Sequence, residues 1–106
     1  MEELEKSIYI SALFDLYGKL LSSSQYKMIE LYYSMDLSLS EIASQENISR
    51  NAVYDALKKG VAALNDYESK LELYKKREEF ESKLERIKDV LSNGDYQKLL
   101  NIIKED

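Results

Sequence analysis

Six polar side chains lie close together in the middle of this 106-residue chain: Ser49, Arg50, Asn51, Tyr54, Lys58 and Lys59. Arginine can pair with guanine, asparagine with adenine, and serine with a phosphate or a base edge, while lysines can hold the phosphate backbone. Residues three or four apart share one face of a helix. If this stretch is helical, the spacing predicts a surface that contacts DNA.

The surrounding residues have the pattern of a helix-turn-helix over Leu39–Leu57. Ser38 and Glu41 form a capping box, which predicts a first helix over 39–45. Asn47 tolerates the left-handed backbone of a sharp turn, and Ser49 can cap a second helix. That second helix would bury Val53, Ala56 and Leu57. In this motif the second helix is usually the one that enters a DNA groove.

Helical patterns also precede this segment. Apolar residues over 3–20 recur in steps of three and four, which predicts one buried face: Leu4, Ile8, Ala12, Leu13, Leu16, Tyr17 and Leu20. A second capping box, Ser22 to Gln25, predicts a helix over about 23–34 that ends at Met35–Leu37. Tyr17, Tyr32 and Tyr33 fall on apolar stripes and are predicted to be core residues.

From Arg50 to Leu91 no strong helix stop occurs, although Gly60 is a weak point. The apolar rhythm shifts near Leu71, so either the helix breaks within 70–76 or its halves pack against different partners. Beyond the shift, Leu73, Phe80 and Ile87 recur every seven residues, with Leu84 and Leu91 offset by four. This seam is typical of a short coiled coil, which either folds back on the N-terminal helices or pairs with a second chain, and we favour the second chain. Asn93-Gly94 predicts a turn before a last helix over 95–104.

Composition restricts the function classes. The absence of cysteine and histidine excludes disulfides and the usual zinc ligands. No glycine-rich loop or catalytic set can be assembled, so we expect no enzyme activity, cofactor, metal or small-molecule substrate. The acidic start differs from a secretory signal, and no apolar run is long enough to cross a bilayer. We expect a soluble cytoplasmic protein with no membrane partner.

The charge balance opposes a simple DNA-binding interpretation. The net charge is −5, and residues 21–65 carry 4 basic and 5 acidic side chains. Phosphate attraction dominates affinity for DNA, and Asp55 lies within the candidate surface. The alternative is a three-helical unit that serves only as a packing scaffold.

Five blocks of sequence, in this order and spacing, resemble the YlxM family of small bacterial helix-turn-helix proteins. They are Phe14–Leu21, Glu30–Tyr33, Leu39–Ala43, Ile48–Asp55 and Leu64–Leu71. The match spans about residues 8–74, and the tail over 75–106 matches only in helical character. The resemblance implies a module similar to region 4 of sigma factors, which reads promoter DNA. It also implies a link to the signal recognition particle pathway.

These observations predict an all-α fold: a winged-helix-like three-helical core without a wing, of the sigma region 4 type, with a long C-terminal helical extension. We expect a helix-turn-helix domain over 1–71 and an extension over 72–106 that acts in dimerisation. The leading hypothesis is a homodimeric regulator of transcription that contacts DNA and takes part in protein targeting. The alternative is an adaptor that binds a targeting GTPase or its RNA, with the helix-turn-helix serving as scaffold. Binding to a basic partner would suit the acidity of the chain.

Overall fold

The computed structural model describes residues 2–88, 90–91 and 93–104, which form α-helices and no strands. The six helices are α1 (Glu2–Tyr17), α2 (Ser23–Ile29), α3 (Leu39–Glu46), α4 (Arg50–Leu71), α5 (Leu73–Ile87) and α6 (Asn93–Lys104). A 3₁₀ turn over Gly18–Leu20 follows α1, and a π-helical segment over Glu30–Ser34 continues α2. None of the helices described is long and apolar enough to cross a membrane. The all-α prediction is confirmed.

Both capping boxes are present and begin the predicted helices. The Ser22 hydroxyl accepts from the Gln25 amide, and the Gln25 side chain accepts from the Ser22 amide. Ser38 and Glu41 exchange the same pair of hydrogen bonds, both at 3.0 Å, at the start of α3. Each box satisfies two amides that lack a partner within the helix. Local sequence therefore fixes where α2 and α3 begin.

The chain folds into two compact units, Met1–Leu71 and Glu72–Asp106. In the first unit, α4 packs against α1, α2 and α3. The core of this unit consists of large apolar side chains from all four helices and the π-helical segment: Ile10, Leu13, Phe14, Tyr17, Met28, Ile29, Leu31, Ile42, Val53, Leu57 and Leu64. Tyr17 keeps its polar end satisfied, because its hydroxyl donates to Glu68 Oε1 at 2.6 Å.

The predicted buried face of α1 is partly wrong. Leu13 and Tyr17 are buried as expected, but Leu4, Ile8 and Leu20 are exposed. The helix instead buries Ile10 and Phe14 beside Leu13 and Tyr17. Both sets have helical spacing, and the packing of α1 against α4 decides between them.

The π-helical segment is a feature that the apolar pattern did not predict. The Met35 amide donates to the Glu30 carbonyl, five residues earlier, at 3.0 Å, which is the hydrogen bond of a π-helix. Asp36 has a φ of 57° and ends the segment, as predicted for the 35–37 stretch. Tyr33 is half-buried, but Tyr32 is 36% exposed, so the prediction that Tyr32 is a core residue is wrong.

Helix α4 runs for 22 residues without interruption at Gly60. Gly60 is buried, and a Cβ atom there would lie 3.0 Å from Ile29 Cγ1. Glycine therefore permits α2 and α4 to approach closely at this point. The helix ends at Leu71, and Glu72 has a φ of 54°. Of the two alternatives for residues 50–91, the break within 70–76 is confirmed.

The second unit consists of α5 and α6, which pack against each other. The Tyr96 hydroxyl donates to Glu85 Oε2 at 2.6 Å, and Lys88 pairs with the same carboxylate at 3.0 Å. These partners hold the pKa of Glu85 below its usual range. Asn93 and Gly94 lie within α6, so the turn predicted for them is wrong. The Val90 and Leu91 amides instead donate to the Ile87 carbonyl just after α5.

Candidate nucleic-acid interface

The turn between α3 and α4 is built by Asn47. Its φ of 56° and ψ of 45° are left-handed, and its amide donates to the Ala43 carbonyl. The Ile48 amide donates to the same carbonyl at 3.1 Å. Asparagine adopts this conformation more readily than most residues because its short polar side chain can bond locally. The predicted turn residue is confirmed, and it fixes the direction in which α4 leaves α3.

Ser49 caps α4, as predicted. Its Oγ accepts from the Ala52 amide at 3.0 Å, and the hydroxyl proton remains available to donate to an anion. No acidic residue lies in the first turn of α4. The positive end of the helix dipole is therefore not offset by a carboxylate there, and it favours a phosphate group nearby.

Helix α4 has one buried and one exposed face over its first ten residues. Val53 and Leu57 are buried, and Ala56 is half-buried. All six candidate side chains are exposed: Ser49, Arg50, Asn51, Tyr54, Lys58 and Lys59. An α-helix with its side chains is roughly 10–12 Å across, close to the roughly 12 Å width of the DNA major groove.

The exposed side chains form two parallel rows, because residues four apart lie above one another on a helix. Arg50, Tyr54 and Lys58 make one row. Asn51, Asp55 and Lys59 make the other, so Asp55 lies between a candidate base contact and a candidate phosphate contact. The first row has no carboxylate and is the better match to a polyanion.

The cations of this surface form no ion pair with the part of the chain that the structure describes. Elsewhere in the described chain, Lys27 pairs with Glu46 at 2.7 Å and Lys70 with Asp66 at 3.0 Å. No comparable ion pair engages Arg50, Lys58 or Lys59 among the residues that the structure describes. Their charges remain available to a partner, although the whole chain is acidic.

One residue beside this surface was missed by the sequence analysis. Lys6 of α1 borders the same depression as Tyr54 and Lys58, and it makes no ion pair within the described residues. Only the approach of α1 to α4 places Lys6 there. The sequence carries no local signal for that proximity, because Lys6 and Lys58 lie at opposite ends of the first unit's sequence.

The comparisons with known proteins support the resemblance. A family model described as "UPF0122: Putative helix-turn-helix protein, YlxM / p13 like" matches residues 4–103. The match therefore includes the tail, where the sequence analysis found only helical character. A UPF0122 protein of Fusobacterium nucleatum is similar to this chain, with 38% identity over 97 residues that cover 92% of this chain and 94% of the relative.

Two further relatives agree. A UPF0122 protein of Geobacillus sp. is 39% identical over 104 residues, covering 96% of this chain and 94% of the relative. One from Streptococcus mutans is 49% identical over 72 residues, covering 68% and 66% respectively. That shorter match is the more similar in sequence, and the longer two extend over nearly the whole chain. With these matches and the helix-turn-helix geometry of α3 and α4, the chain belongs to the UPF0122 family of YlxM/p13-like proteins.

Proposed function

We propose that this protein is a cytoplasmic regulator that contacts DNA through the exposed face of α4. The observation that carries the proposal is the row of Arg50, Tyr54 and Lys58, exposed at helical spacing with no ion pair to Arg50 or Lys58 in the described chain. Asn51 would contact a base edge, and Ser49 and Lys59 would contact the phosphate backbone of the DNA. Helices α2, α3 and α4 would act as region 4 of sigma factors does, positioning α4 in the major groove.

The second candidate is an adaptor that binds a targeting GTPase or its RNA, and Asp55 favours the protein partner over either nucleic acid. A carboxylate in the middle of the surface repels phosphate unless it accepts a hydrogen bond from the amino group of a cytosine. The net charge of −5 also opposes long-range attraction to DNA. Family membership is compatible with either role in or near the signal recognition particle pathway.

The test is a salt titration of binding to a labelled duplex of roughly 20 base pairs, with promoter and random sequences. We expect measurable affinity at about 50 mM salt that falls steeply by about 200 mM. Replacing a phosphate-contacting lysine, Lys58→Ala, is expected to reduce the logarithmic salt slope by about 0.9. Arg50→Ala and Asn51→Ala are expected to reduce any preference for promoter DNA, since base contacts carry specificity.

A matched control is Lys19→Ala. Lys19 is an exposed cation in the 3₁₀ turn, and Tyr67 donates to the neighbouring Leu20 carbonyl at 3.1 Å. The turn therefore lies beside the distal half of α4, away from Lys58, and the loss of this lysine is expected to leave DNA binding unchanged. If the protein binds no DNA even at low salt, the DNA proposal is abandoned and direct binding to a purified targeting GTPase tests the adaptor.

A further inference from the structure

Two depressions lie on the surface of the first unit, and Tyr32 and Tyr33 line both; we call the pair the groove. The first, here the basic lobe, has a volume of about 230 Å³ and is lined by Lys6, Lys58, Tyr54, Leu39 and Val61 among others. The second, the acidic lobe, has a volume of about 350 Å³ and is lined by Asp36, Glu41 and Ser38 among others. Both tyrosines line both lobes.

The two lobes carry opposite charge. Among the described residues, no carboxylate lines the basic lobe, neither of its lysines makes an ion pair, and no cation lines the acidic lobe. The Ser38 amide donates to Glu41 Oε1 at 3.0 Å, and this bond lowers the pKa of Glu41, which therefore stays ionised at neutral pH. Any occupant must match a positive end and a negative end.

The wall between the lobes is aromatic. The π-helical segment places the Tyr32 and Tyr33 rings edge to face, with centroids 5.0 Å apart. Burial raises the pKa of Tyr33, so its hydroxyl stays protonated and can donate a hydrogen bond. Together with Leu39 and Val61, these rings offer an apolar surface beside the two lysines. Short π-helical turns often occur at functional sites.

We propose that this groove binds a short segment of a partner protein in which a large apolar side chain lies beside a carboxylate and a basic side chain follows. The apolar side chain would pack on the tyrosines in the basic lobe, with its neighbouring carboxylate between Lys6 and Lys58. The basic side chain would pair with Asp36 and Glu41 in the acidic lobe.

Charge and size favour a peptide over other occupants. A nucleic acid would bring phosphates to Asp36 and Glu41, which repel them. A compact ligand held against the apolar wall of the basic lobe would leave the acidic lobe empty. A peptide can occupy two adjoining lobes with successive side chains, and complementary charges would fix its direction.

Peptide binding to the groove does not require DNA binding, but it would affect DNA binding. Tyr54 and Lys58 belong both to the basic lobe and to the proposed DNA contact. A bound peptide would cover them, so peptide and DNA would compete. The partner protein would thereby release the regulator from DNA.

The test is a selection from a random peptide library displayed on phage, with the full-length protein as bait and no DNA present. Enriched peptides are synthesised with a fluorescent label, and their affinity is measured by anisotropy. We expect them to share the carboxylate, the adjacent large apolar residue and the later basic residue. Lys6→Glu is expected to weaken binding by roughly fivefold, as one partly exposed charge pair is lost and a repulsion gained.

The control is Lys19→Glu, the same change of charge outside the groove, which is expected to leave binding unchanged. Asp36→Asn removes one charge of the acidic lobe and keeps a residue that tolerates positive φ. This variant is expected to bind peptides that carry the basic residue more weakly and to leave the binding of peptides without it unchanged. A peptide with lysine in place of its carboxylate is expected to regain affinity for Lys6→Glu. The proposal is overturned if no peptide is enriched, if enriched peptides lack the pattern, or if Lys6→Glu does not affect them.

Discussion

Single side chains show how one helix packs on one face and presents polar residues on the other. On α4, Val53, Leu57, Gly60 and Leu64 face the core, while the polar residues between them face outward. The outward positions could be chosen from spacing alone, because a helix repeats every 3.6 residues. Gly60 has a role that spacing did not reveal, since it allows the buried Ile29 to approach the backbone of α4.

We expect Gly60→Ala to destabilise the protein by about 1 kcal/mol. The added Cβ would lie 3.0 Å and 3.1 Å from two Ile29 side-chain carbons, and Ile29 is fully buried. Overpacking of this kind costs roughly 1–3 kcal/mol, more than the gain of about 1 kcal/mol from helix propensity. Urea unfolding followed by circular dichroism measures the change.

Gly94→Ala is the matched control. Among the described residues, no atom lies within 4 Å of a Cβ added at Gly94, which is part of α6. The same substitution there is expected to be neutral or to stabilise by up to about 1 kcal/mol. If Gly60→Ala stabilised the protein as much as Gly94→Ala, the claim that α2 and α4 lie too close at Gly60 to admit a Cβ atom would be contradicted.

At the scale of elements, three residues with positive φ end helical segments. Asp36 ends the π-helical segment, Asn47 follows α3, and Glu72 separates α4 from α5. Asn47 was predictable, since asparagine between a helix pattern and a serine cap indicates a turn. Glu72 was not, because glutamate has no preference for this conformation. There the shift of the apolar stripe near Leu71 was the only signal.

We expect Asn47→Ala to destabilise the protein by about 1 kcal/mol, because alanine lacks the short polar side chain whose local hydrogen bonds lower the cost of a left-handed backbone for asparagine. Asn47→Gly is expected to be nearly neutral, because glycine adopts this backbone freely but gains entropy in the unfolded chain. Chemical denaturation of both variants measures the difference.

Asn65→Ala provides the comparison within a helix. Asn65 is exposed in α4, so alanine is expected to be neutral or slightly stabilising there. An equal effect of alanine at positions 47 and 65 would contradict the role of Asn47 in the turn.

For the whole molecule, the exposed seam of α5 supports the prediction of a homodimer. Leu73, Phe80 and Ile87 are 43%, 49% and 46% exposed and recur every seven residues, while Leu84 is buried. Leu84 belongs to the predicted seam but takes no part in the exposed row, so this row is one of the two apolar rows that a coiled-coil seam contains. Two copies of the chain would each supply one such row.

We expect the full-length protein to sediment as a dimer and Phe80→Glu to sediment as a monomer, since a carboxylate in the seam would be buried without a partner. Val90→Glu introduces the same charge at a residue that is 85% exposed and outside the heptad spacing, and it is expected to remain dimeric. A wild-type protein that is monomeric at every concentration tested would refute the seam as an interface.

The sequence by itself determined the features that depend on neighbours within one helical turn. The two capping boxes, the turn at Asn47, the Ser49 cap and the exposed face of α4 all rest on hydrogen bonds or periodicity over a few residues. These interactions form in the same way whatever else the chain packs against. For that reason the helix-turn-helix and its six candidate side chains were predicted correctly in position and exposure.

Tertiary structure decided the features for which the local sequence allows two arrangements. Helix α1 has two apolar stripes, and only its packing against α4 buries Ile10 and Phe14 and leaves Leu4 and Ile8 exposed. The same packing brings Lys6 beside Tyr54 and Lys58, and the π-helical segment places Tyr32 on the wall of the groove. Periodicity identifies faces that can be buried, whereas contacts between residues distant in sequence select which face is buried and which side chains meet.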